Sequence, residues 1–211
     1  FSTYRPEKQL RLKILDPAAG TGGFLRAALL KMREIIEAQE YAKWGENRQK
    51  AEAQITERLK TLCDANIYGI DKLAELVRAA QMNLAMHGDG STNVFHTNSL
   101  LPPGEWPDNV RGVIKPGHFD VVFTNPPFGS RLPIDDPHIL DQFELSRFEA
   151  KSPRTAMPPE QIFIERCLDF LKPGGRLAIV LPDSILSNPG LSWLRRWVLR
   201  HAWVLASVDL P

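Results

Sequence analysis

Residues 125–128, with the sequence Asn-Pro-Pro-Phe, carry the strongest chemical signal in this chain of 211 residues. They directly follow an apolar, strand-like run at residues 119–124. The side-chain oxygen of Asn125 and the main-chain oxygen of Pro126 can accept the two hydrogens of an amino group on a flat base. The two prolines make this arrangement rigid, because each fixes its own φ and keeps the preceding residue extended. The motif therefore predicts chemistry on an exocyclic amine.

An exocyclic amine such as that of adenine is a poor nucleophile, because its lone pair delocalises into the ring. Two acceptors on its hydrogens would push the nitrogen toward tetrahedral geometry and free the lone pair to attack a methyl group. Phe128 can stack on the base, a contact worth roughly 1 to 3 kcal/mol in comparable sites, and a duplex base would first have to flip out. Because the amide of Asn125 does not titrate, we expect in-line methyl transfer that depends on orientation, with the proton lost to water.

A glycine-rich turn upstream predicts the cofactor half of such a site. Residues 13–16 are strand-like and end in Asp16, and residues 17–24, Pro-Ala-Ala-Gly-Thr-Gly-Gly-Phe, lead into a helical pattern. Leu25 stands where the dinucleotide fingerprint needs Gly or Ala, and the Gly-Lys-Ser/Thr of a phosphate loop is absent. An acidic residue suits an ammonium group better than a pyrophosphate. We therefore expect S-adenosylmethionine, with its carboxylate at the helix amino terminus near Gly22.

Two further polar residues follow the next strand-like runs. Asp71 ends the run at residues 65–70 and would accept hydrogen bonds from ribose hydroxyls, and Asn98 follows residues 94–97 and, with Ser99, would face the cofactor's adenine. Ligands of open parallel sheets bind beyond such carboxyl ends. Each acid can also cap a helix, and a proline turn is the structural alternative for the tetrapeptide. The candidate cofactor-binding residues are Asp16, Pro17, Ala18, Gly20, Thr21, Gly22, Gly23, Asp71, Asn98, Ser99, Leu100 and Asn125; the candidate catalytic residues are Asn125, Pro126, Pro127 and Phe128.

Strand-like and helical patterns alternate along the chain, which predicts an α/β fold with a mostly parallel central sheet and helices on both faces. We expect six strands, the last two at residues 176–181 and 204–208. Residues 39–62 are interpreted as a charged, solvated helical insertion, and residues 129–159 as a long loop of the kind that is functional or disordered. Because the sequence starts without Met and ends inside an apolar run, we expect one catalytic domain over residues 1–211, truncated at both ends.

The composition argues against several classes of protein. A net charge of +1 gives no strong field toward nucleic acid, so any DNA contact must be local or come from a partner. The two cysteines, Cys63 and Cys167, and the five histidines show no metal spacing, so no metal is expected. Without a signal peptide or a membrane-length apolar run, a cytoplasmic location is expected.

Asp135 and Asp136 are interpreted as part of a solvated loop. Three arginines of the last helical pattern either contact phosphates or complement a helix dipole: Arg195, Arg196 and Arg200.

These motifs resemble the amino-group DNA methyltransferases, and specifically the methylation subunit of type I restriction-modification systems. The closing pattern Leu-Lys-Pro-Gly-Gly-Arg at residues 171–176, followed by Val-Leu-Pro at 180–182, is more specific than Asn-Pro-Pro-Phe, which other amine methylases share. The resemblance implies a Rossmann-like, S-adenosylmethionine-dependent fold. The matching segments are residues 15–25, 68–88, 97–100, 119–129 and 171–182.

The resemblance also implies roles and partners. Asp16, Gly20 and Gly22 would line the S-adenosylmethionine pocket, Asp71 would bind its ribose, and residues 125–128 would hold the target adenine. The implied activity is methylation of the 6-amino group of adenine in double-stranded DNA, with a specificity subunit that chooses the sequence and a restriction subunit as further partners. The implied location is the cytoplasm of a bacterium or archaeon.

The chain departs from the family pattern at two positions. Asn98 stands where the family usually has Asp, and Asp71 is often Glu in relatives. Two alternatives stay open at this point. One is methylation of a protein glutamine or of a base amine in ribosomal RNA, since similar Asn-Pro-Pro-aromatic motifs serve those families. The other is a non-catalytic scaffold that binds partners or DNA without turnover.

Overall fold

Two compact units account for the part of the chain that the structure, a computed structural model, describes: residues 8, 10–88, 93–129 and 133–210. The first unit consists of Phe1–Asn125 and Cys167–Ile179, and the second of Pro126–Arg166 and Val180–Pro211. The interpretation of residues 1–211 as one catalytic domain stays a prediction.

The described part of the first unit is built on five parallel strands in the order β3-β2-β1-β4-β5. Every residue of the central strand β1 and of its neighbour β2 is buried, as is typical of parallel strands that are covered on both faces. The parallel α/β sheet predicted from the sequence is therefore confirmed. The strands are β1 (Ile14–Asp16), β2 (Ile67–Asp71), β3 (Val94–His96), β4 (Phe119–Thr124) and β5 (Leu171–Ile179).

Three long helices of the first unit pack their apolar faces into one core with the strands, and a short fourth helix buries Val110. They are α1 (Gly23–Trp44), α2 (Arg48–Asn66), α3 (Ala74–Ala85) and the short α4 (Asp108–Arg111). Residues 39–62, predicted to be a solvated helix, form the end of α1 and most of α2. The segment is helical and most of its charged side chains are exposed, but α2 also buries a stripe of side chains at a spacing of four: Ala51, Ile55, Leu59 and Cys63.

The second unit contains α5 (Pro137–Leu140), most of α6 (Pro159–Phe170), α7 (Ser184–Ser187) and α8 (Ser192–His201). Residues 129–159, predicted to be a long loop, carry α5 and a single antiparallel bridge between Ile134 and Met157. Residues 130–132 of that stretch, with Arg131, lie outside the described residues. The Glu165 carboxylate accepts hydrogen bonds from the backbone N–H groups of Glu144 (2.7 Å) and Leu145 (2.8 Å), which fixes the segment onto α6.

Two strand predictions near the end of the chain need correction. Strand β5 begins at Leu171 rather than at residue 176, because Leu171 already pairs with Phe119 ahead of a register shift. The strand predicted at residues 204–208 is wrong: these residues are not paired with any described residue, and Trp203 before them is 90% exposed. A short apolar run favours an extended backbone, but a strand also needs a neighbour to hydrogen-bond. None of the described helices is long and apolar enough to cross a bilayer.

Candidate active site

The glycine turn between β1 and α1 is attached to the neighbouring elements of the first unit. The N–H of Ala19 donates to the carbonyl of Ile70 in β2 at 2.8 Å. Gly20 and Gly22 adopt φ of +54° and +81°, a left-handed conformation that favours glycine. A Cβ at Gly22 would lie 3.1 Å from the Cβ of Ala80 in α3, whereas a Cβ at Gly20 would meet no atom within 4 Å. The turn therefore packs on α3 at Gly22 and leaves open space beside Gly20.

Asp16, the last residue of β1, is a buried carboxylate with unequal oxygens. The residue is only 1% exposed. Oδ1 accepts hydrogen bonds from the Thr124 hydroxyl at 2.7 Å and from the Ala18 N–H at 3.1 Å, while Oδ2 accepts none from the described residues. Burial raises the pKa of Asp16 to about 7; the bonds from Thr124 and Ala18 lower it, and the negative charge of Asp71 raises it further. Near neutral pH the protonated and the ionised forms of Asp16 are therefore both populated.

Asp71, the last residue of β2, holds the glycine turn from the neighbouring strand. Its Oδ2 accepts a hydrogen bond from the N–H of Gly20 and its Oδ1 one from the N–H of Leu73, both at 2.9 Å. Its main-chain carbonyl accepts from the N–H of Thr97, which follows β3, at 3.1 Å. Since a carboxylate oxygen has room for a second donor, Asp71 can organise the turn and still accept from a ligand.

Asn98 uses its side-chain oxygen for its own turn. Oδ1 accepts from the N–H of Leu100 at 3.0 Å, and the main-chain carbonyl of Asn98 accepts from the indole N–H of Trp106 at 3.0 Å. Ser99 and Leu100 are both buried. The oxygen predicted to accept from the cofactor's adenine thus already accepts from one backbone donor and keeps a second lone pair, and that role stays a prediction.

The other candidate residues of the turn contribute backbone rather than side chains. Pro17 is buried and Ala18 half-buried, and Gly23 is the exposed first residue of α1. Thr21 is exposed, and its carbonyl accepts a hydrogen bond from the side-chain amide of Asn83 in α3 at 3.1 Å. Helix α1 has no side-chain cap and no acidic residue in its first turn. Its first N–H groups are therefore not neutralised by an acidic side chain.

The tetrapeptide at residues 125–128 begins directly after β4. Asn125, which belongs to the first unit, is exposed, and its side chain makes no hydrogen bond with the described residues. In the second unit Pro126 is buried, Pro127 is exposed, and Phe128 is 49% exposed. An amide without a partner and an exposed ring are both available to a ligand.

Two residues that sequence reasoning did not single out support this region. Thr124 is the donor to Asp16, and nothing in an apolar strand distinguishes a hydroxyl that binds a carboxylate 108 positions away. In the second unit the buried carboxylate of Glu160 accepts from the N–H of Gly129 at 3.1 Å, which fixes the residue that follows Phe128. Only the tertiary fold brings either pair together.

The basic residues of α8 are engaged within the second unit. Arg195 donates to the carbonyls of Ile185 and Asn188, both at 2.9 Å. Three further contacts are an ion pair of Arg196 with Glu149, the guanidinium of Arg200 over the ring of Phe148, and the ring of His201 stacked on Trp197. In the predicted solvated loop, the Asp136 side chain caps α5 by accepting from the N–H of His138 at 2.9 Å. These groups have structural roles.

Comparison with known proteins identifies relatives of this chain. A family model described as N-6 DNA Methylase matches residues 3–211. The methylase subunit of the type I restriction enzyme EcoEI from Escherichia coli is 30% identical over 193 residues, which cover 90% of this chain and 32% of that protein. The resemblance read from the motifs is thereby confirmed.

Solved structures show the same fold. The crystal structure of the M protein of the type I restriction enzyme EcoKI superposes with a TM-score of 0.50 at 23% identity, covering 94% of this chain and 37% of that one. A structure from a study of type I restriction-modification complex assembly gives a TM-score of 0.54 at 25% identity, covering 93% and 36%. The predicted Rossmann-like methyltransferase fold is confirmed, and the chain spans about a third of the length of these relatives.

Proposed function

The chain belongs to the N-6 DNA methylase family, and from that premise we propose that it methylates the 6-amino group of adenine in DNA with S-adenosylmethionine. The observation that carries this proposal is the hydrogen bond of Thr124 to Asp16. It ties the buried carboxylate of the cofactor turn to the residue that immediately precedes Asn125, the proposed acceptor for the target amine. This bond supports a cofactor turn and an amine acceptor, Asn125, that lie near each other within the first unit.

The residues around the glycine turn fit S-adenosylmethionine, which when bound supplies an electrophilic methyl group. A buried carboxylate needs a partner for each oxygen, and Oδ2 of Asp16 has none among the described residues. An ammonium group is the complementary donor. Asp71 has lone pairs left for ribose hydroxyls, and the uncapped start of α1 favours a carboxylate. The open space beside Gly20 lets a ligand approach the backbone.

The tetrapeptide is suited to hold the target amine. The side-chain oxygen of Asn125 and the carbonyl of Pro126 would accept the two amino hydrogens, and the exposed Phe128 ring would stack on the base. Since amides do not titrate in the physiological range, Asn125 would orient the amine rather than remove its proton. The adenine would have to leave the duplex to reach these groups.

The partners would be those of a type I system. We propose two partner subunits in the bacterial or archaeal cytoplasm. One is a separate specificity subunit that selects the DNA sequence, and the other is a restriction subunit. The net charge of +1 supports this division, because the chain lacks the basic excess of an autonomous DNA-binding domain.

Transfer of a labelled methyl group tests the proposal. The full-length protein with its partner subunits would be incubated with tritiated S-adenosylmethionine and, in parallel, an adenine-containing duplex, ribosomal RNA and bacterial protein extract. We expect label in the duplex as N6-methyladenine. Label in RNA or protein instead would replace DNA as the substrate, and no label in any of them would favour a scaffold.

Asn125→Ala provides the matched loss-of-function variant. We expect it to lower methyl transfer by at least about a hundredfold, because the remaining acceptor cannot orient the amine alone. Asn109→Ala, at an exposed position of α4, is the control and should leave transfer unchanged. Equal rates for both variants would contradict the proposed role of the tetrapeptide.

A further inference from the structure

Thr124 has a buried hydroxyl group at a position where an apolar side chain would pack equally well. The residue is 0% exposed at the end of β4, and its Oγ1 donates to Oδ1 of Asp16 at 2.7 Å. A valine would fill the same space, and β-branched residues are favoured in strands for their packing alone. A buried hydroxyl costs free energy unless it is hydrogen-bonded, so its presence points to a task that its partner requires.

The partner requires a donor because Asp16 is isolated from cations. The groups that face its carboxylate are the neutral hydroxyl of Thr124 from β4, the backbone N–H of Ala18 from the turn, and the negative charge of Asp71 from β2. No positive charge acts on Asp16 among the interactions of the described residues that affect its titration. Hydrogen bonds that favour the charged form, from Thr124 and Ala18, are what oppose burial here.

We propose that Thr124 is a positioning residue that keeps Asp16 ionised and turns its free oxygen, Oδ2, toward the ammonium group of the cofactor. This inference rests on the proposed function, since it assumes that the turn binds S-adenosylmethionine. A hydroxyl donating to a carboxylate makes a strong, short hydrogen bond that favours the ionised state. With Oδ1 held by two donors, rotation of the carboxylate is restricted and Oδ2 is left for the ligand.

Cofactor binding is then linked to proton release. Burial raises the pKa of Asp16 to about 7, so a fraction of the protein carries a neutral Asp16 near neutral pH and must lose that proton to pair with an ammonium group. Removing the Thr124 hydroxyl would raise the pKa of Asp16 further. The affinity for S-adenosylmethionine would consequently rise at a higher pH on the acidic limb of its pH profile. The ligand's own α-amino group, which loses its proton at about pH 8, sets the basic limb equally for the wild type and the variants.

The test is calorimetric titration of the full-length protein with S-adenosylmethionine between about pH 6 and pH 9. Repeating each titration in two buffers of different ionisation enthalpy counts the protons released on binding. For Thr124→Val we expect the midpoint of the acidic limb of the affinity profile to move up by about one pH unit. Affinity near pH 6 should then fall about tenfold, while affinity at pH 9 should stay close to that of the wild type. More protons should be released at pH 7.

Two further variants separate the hydroxyl from the space it fills. Thr124→Ser and Thr124→Ala both lack the γ-methyl group and differ by the hydroxyl, so they carry the same comparison should the valine variant fail to fold. The serine variant should keep the wild-type midpoint, and the alanine variant should shift it upward. Carbon-13 NMR of the Asp16 side-chain carboxyl without ligand measures the titration midpoint of Asp16 itself. This midpoint should change across the variants in the same order.

Each outcome decides the matter. A valine variant with the wild-type midpoint and proton release, or one that binds equally weakly at every pH, would overturn the inference and leave Thr124 a packing residue. A wild-type protein that binds no S-adenosylmethionine at all would overturn the proposed function and this inference together. The wild-type titration therefore distinguishes the two failures.

Discussion

The Asp71 carboxylate accepts a hydrogen bond from the backbone N–H of Gly20 at 2.9 Å, so the end of β2 holds the glycine turn that follows β1. The same carboxylate accepts from the N–H of Leu73 with its other oxygen. Asp71 was expected to bind ribose through its side chain. It also shapes the loop that would surround the cofactor, and these two tasks can be separated by substitution.

Asp71→Ala should lower both stability and cofactor affinity. The change leaves two backbone donors without their acceptor, which costs roughly 1 to 3 kcal/mol of the free energy of unfolding when such groups are buried. Asp71→Asn keeps one acceptor oxygen and should lose less stability, but it gives up the charged acceptor for the ribose. Denaturant unfolding and calorimetric titration with S-adenosylmethionine measure the two effects.

The control for this pair is Asp209→Ala, at an exposed position without a hydrogen bond to the described residues. It should leave stability and affinity as they are. If Asp71→Ala were as stable and bound the cofactor as tightly as the wild type, the carboxylate would neither hold the turn nor bind the ligand.

Gly22→Ala should destabilise the protein, whereas Gly23→Ala should not. Gly22 combines φ of +81° with a Cβ position 3.1 Å from the Cβ of Ala80, so alanine there meets both backbone strain and a close contact. Gly23 begins α1 with nothing within 4 Å of its Cβ position. We expect a loss of roughly 1 to 2 kcal/mol for Gly22→Ala and a small gain or no change for Gly23→Ala, measured by urea unfolding. Equal losses would contradict the conformation described for this turn.

The glycine turn and the strand ends beside it could be predicted because their signals are local. Apolar runs fix the ends of β1, β2 and β4 to within a few residues, and parallel strands bring Asp16 and Asp71 to one edge of the sheet. The spacing of Gly20 and Gly22 predicted a tight turn, and both adopt positive φ. In each case one short stretch of sequence contains all the information needed.

The remainder could not be predicted because it depends on partners distant in sequence. Thr124 is a neutral residue of an apolar strand until Asp16, 108 positions away, lies beside it. The buried stripe of α2 consists of four small or medium side chains in an otherwise charged helix, so the pattern alone favours solvation. Residues 204–208 show the converse: their apolar run predicts a strand, but pairing depends on a neighbour.

Glu160→Ala should slow methyl transfer without weakening cofactor binding. Its carboxylate accepts from the N–H of Gly129, so its loss frees the end of the tetrapeptide beside Phe128. We expect a roughly tenfold lower turnover, the equivalent of one modest hydrogen bond, at unchanged affinity for S-adenosylmethionine, because Asp16 and Asp71 belong to the other unit.

Glu160→Gln is the matched variant, since its amide oxygen can still accept from Gly129. Recovery of most of the turnover in Glu160→Gln would identify the hydrogen bond as the cause. A parallel drop in cofactor affinity for Glu160→Ala, or no drop in turnover, would rule out this positioning role.

Asp16→Asn should stabilise the protein at high pH while it abolishes cofactor binding. Burial raises the folded-state pKa of Asp16 from 3.8 to about 7, so the folded state binds the proton more tightly than the unfolded state. Stability from this group is therefore lost as pH rises from about 4 to about 7 and stays low above that. An asparagine carries no charge to bury. The variant should match the wild type near pH 4 and exceed it by roughly 3 to 4 kcal/mol above pH 7.

Chemical denaturation at a series of pH values without ligand measures this difference. Asn can still accept from Thr124 with its side-chain oxygen, so packing and the hydrogen bond at Oδ1 are retained and the comparison isolates the charge. A pH-independent difference between variant and wild type would show that Asp16 titrates at its ordinary value. Greater stability together with lost binding would mean that the chain keeps a destabilising buried carboxylate at this position because a cationic ligand needs it.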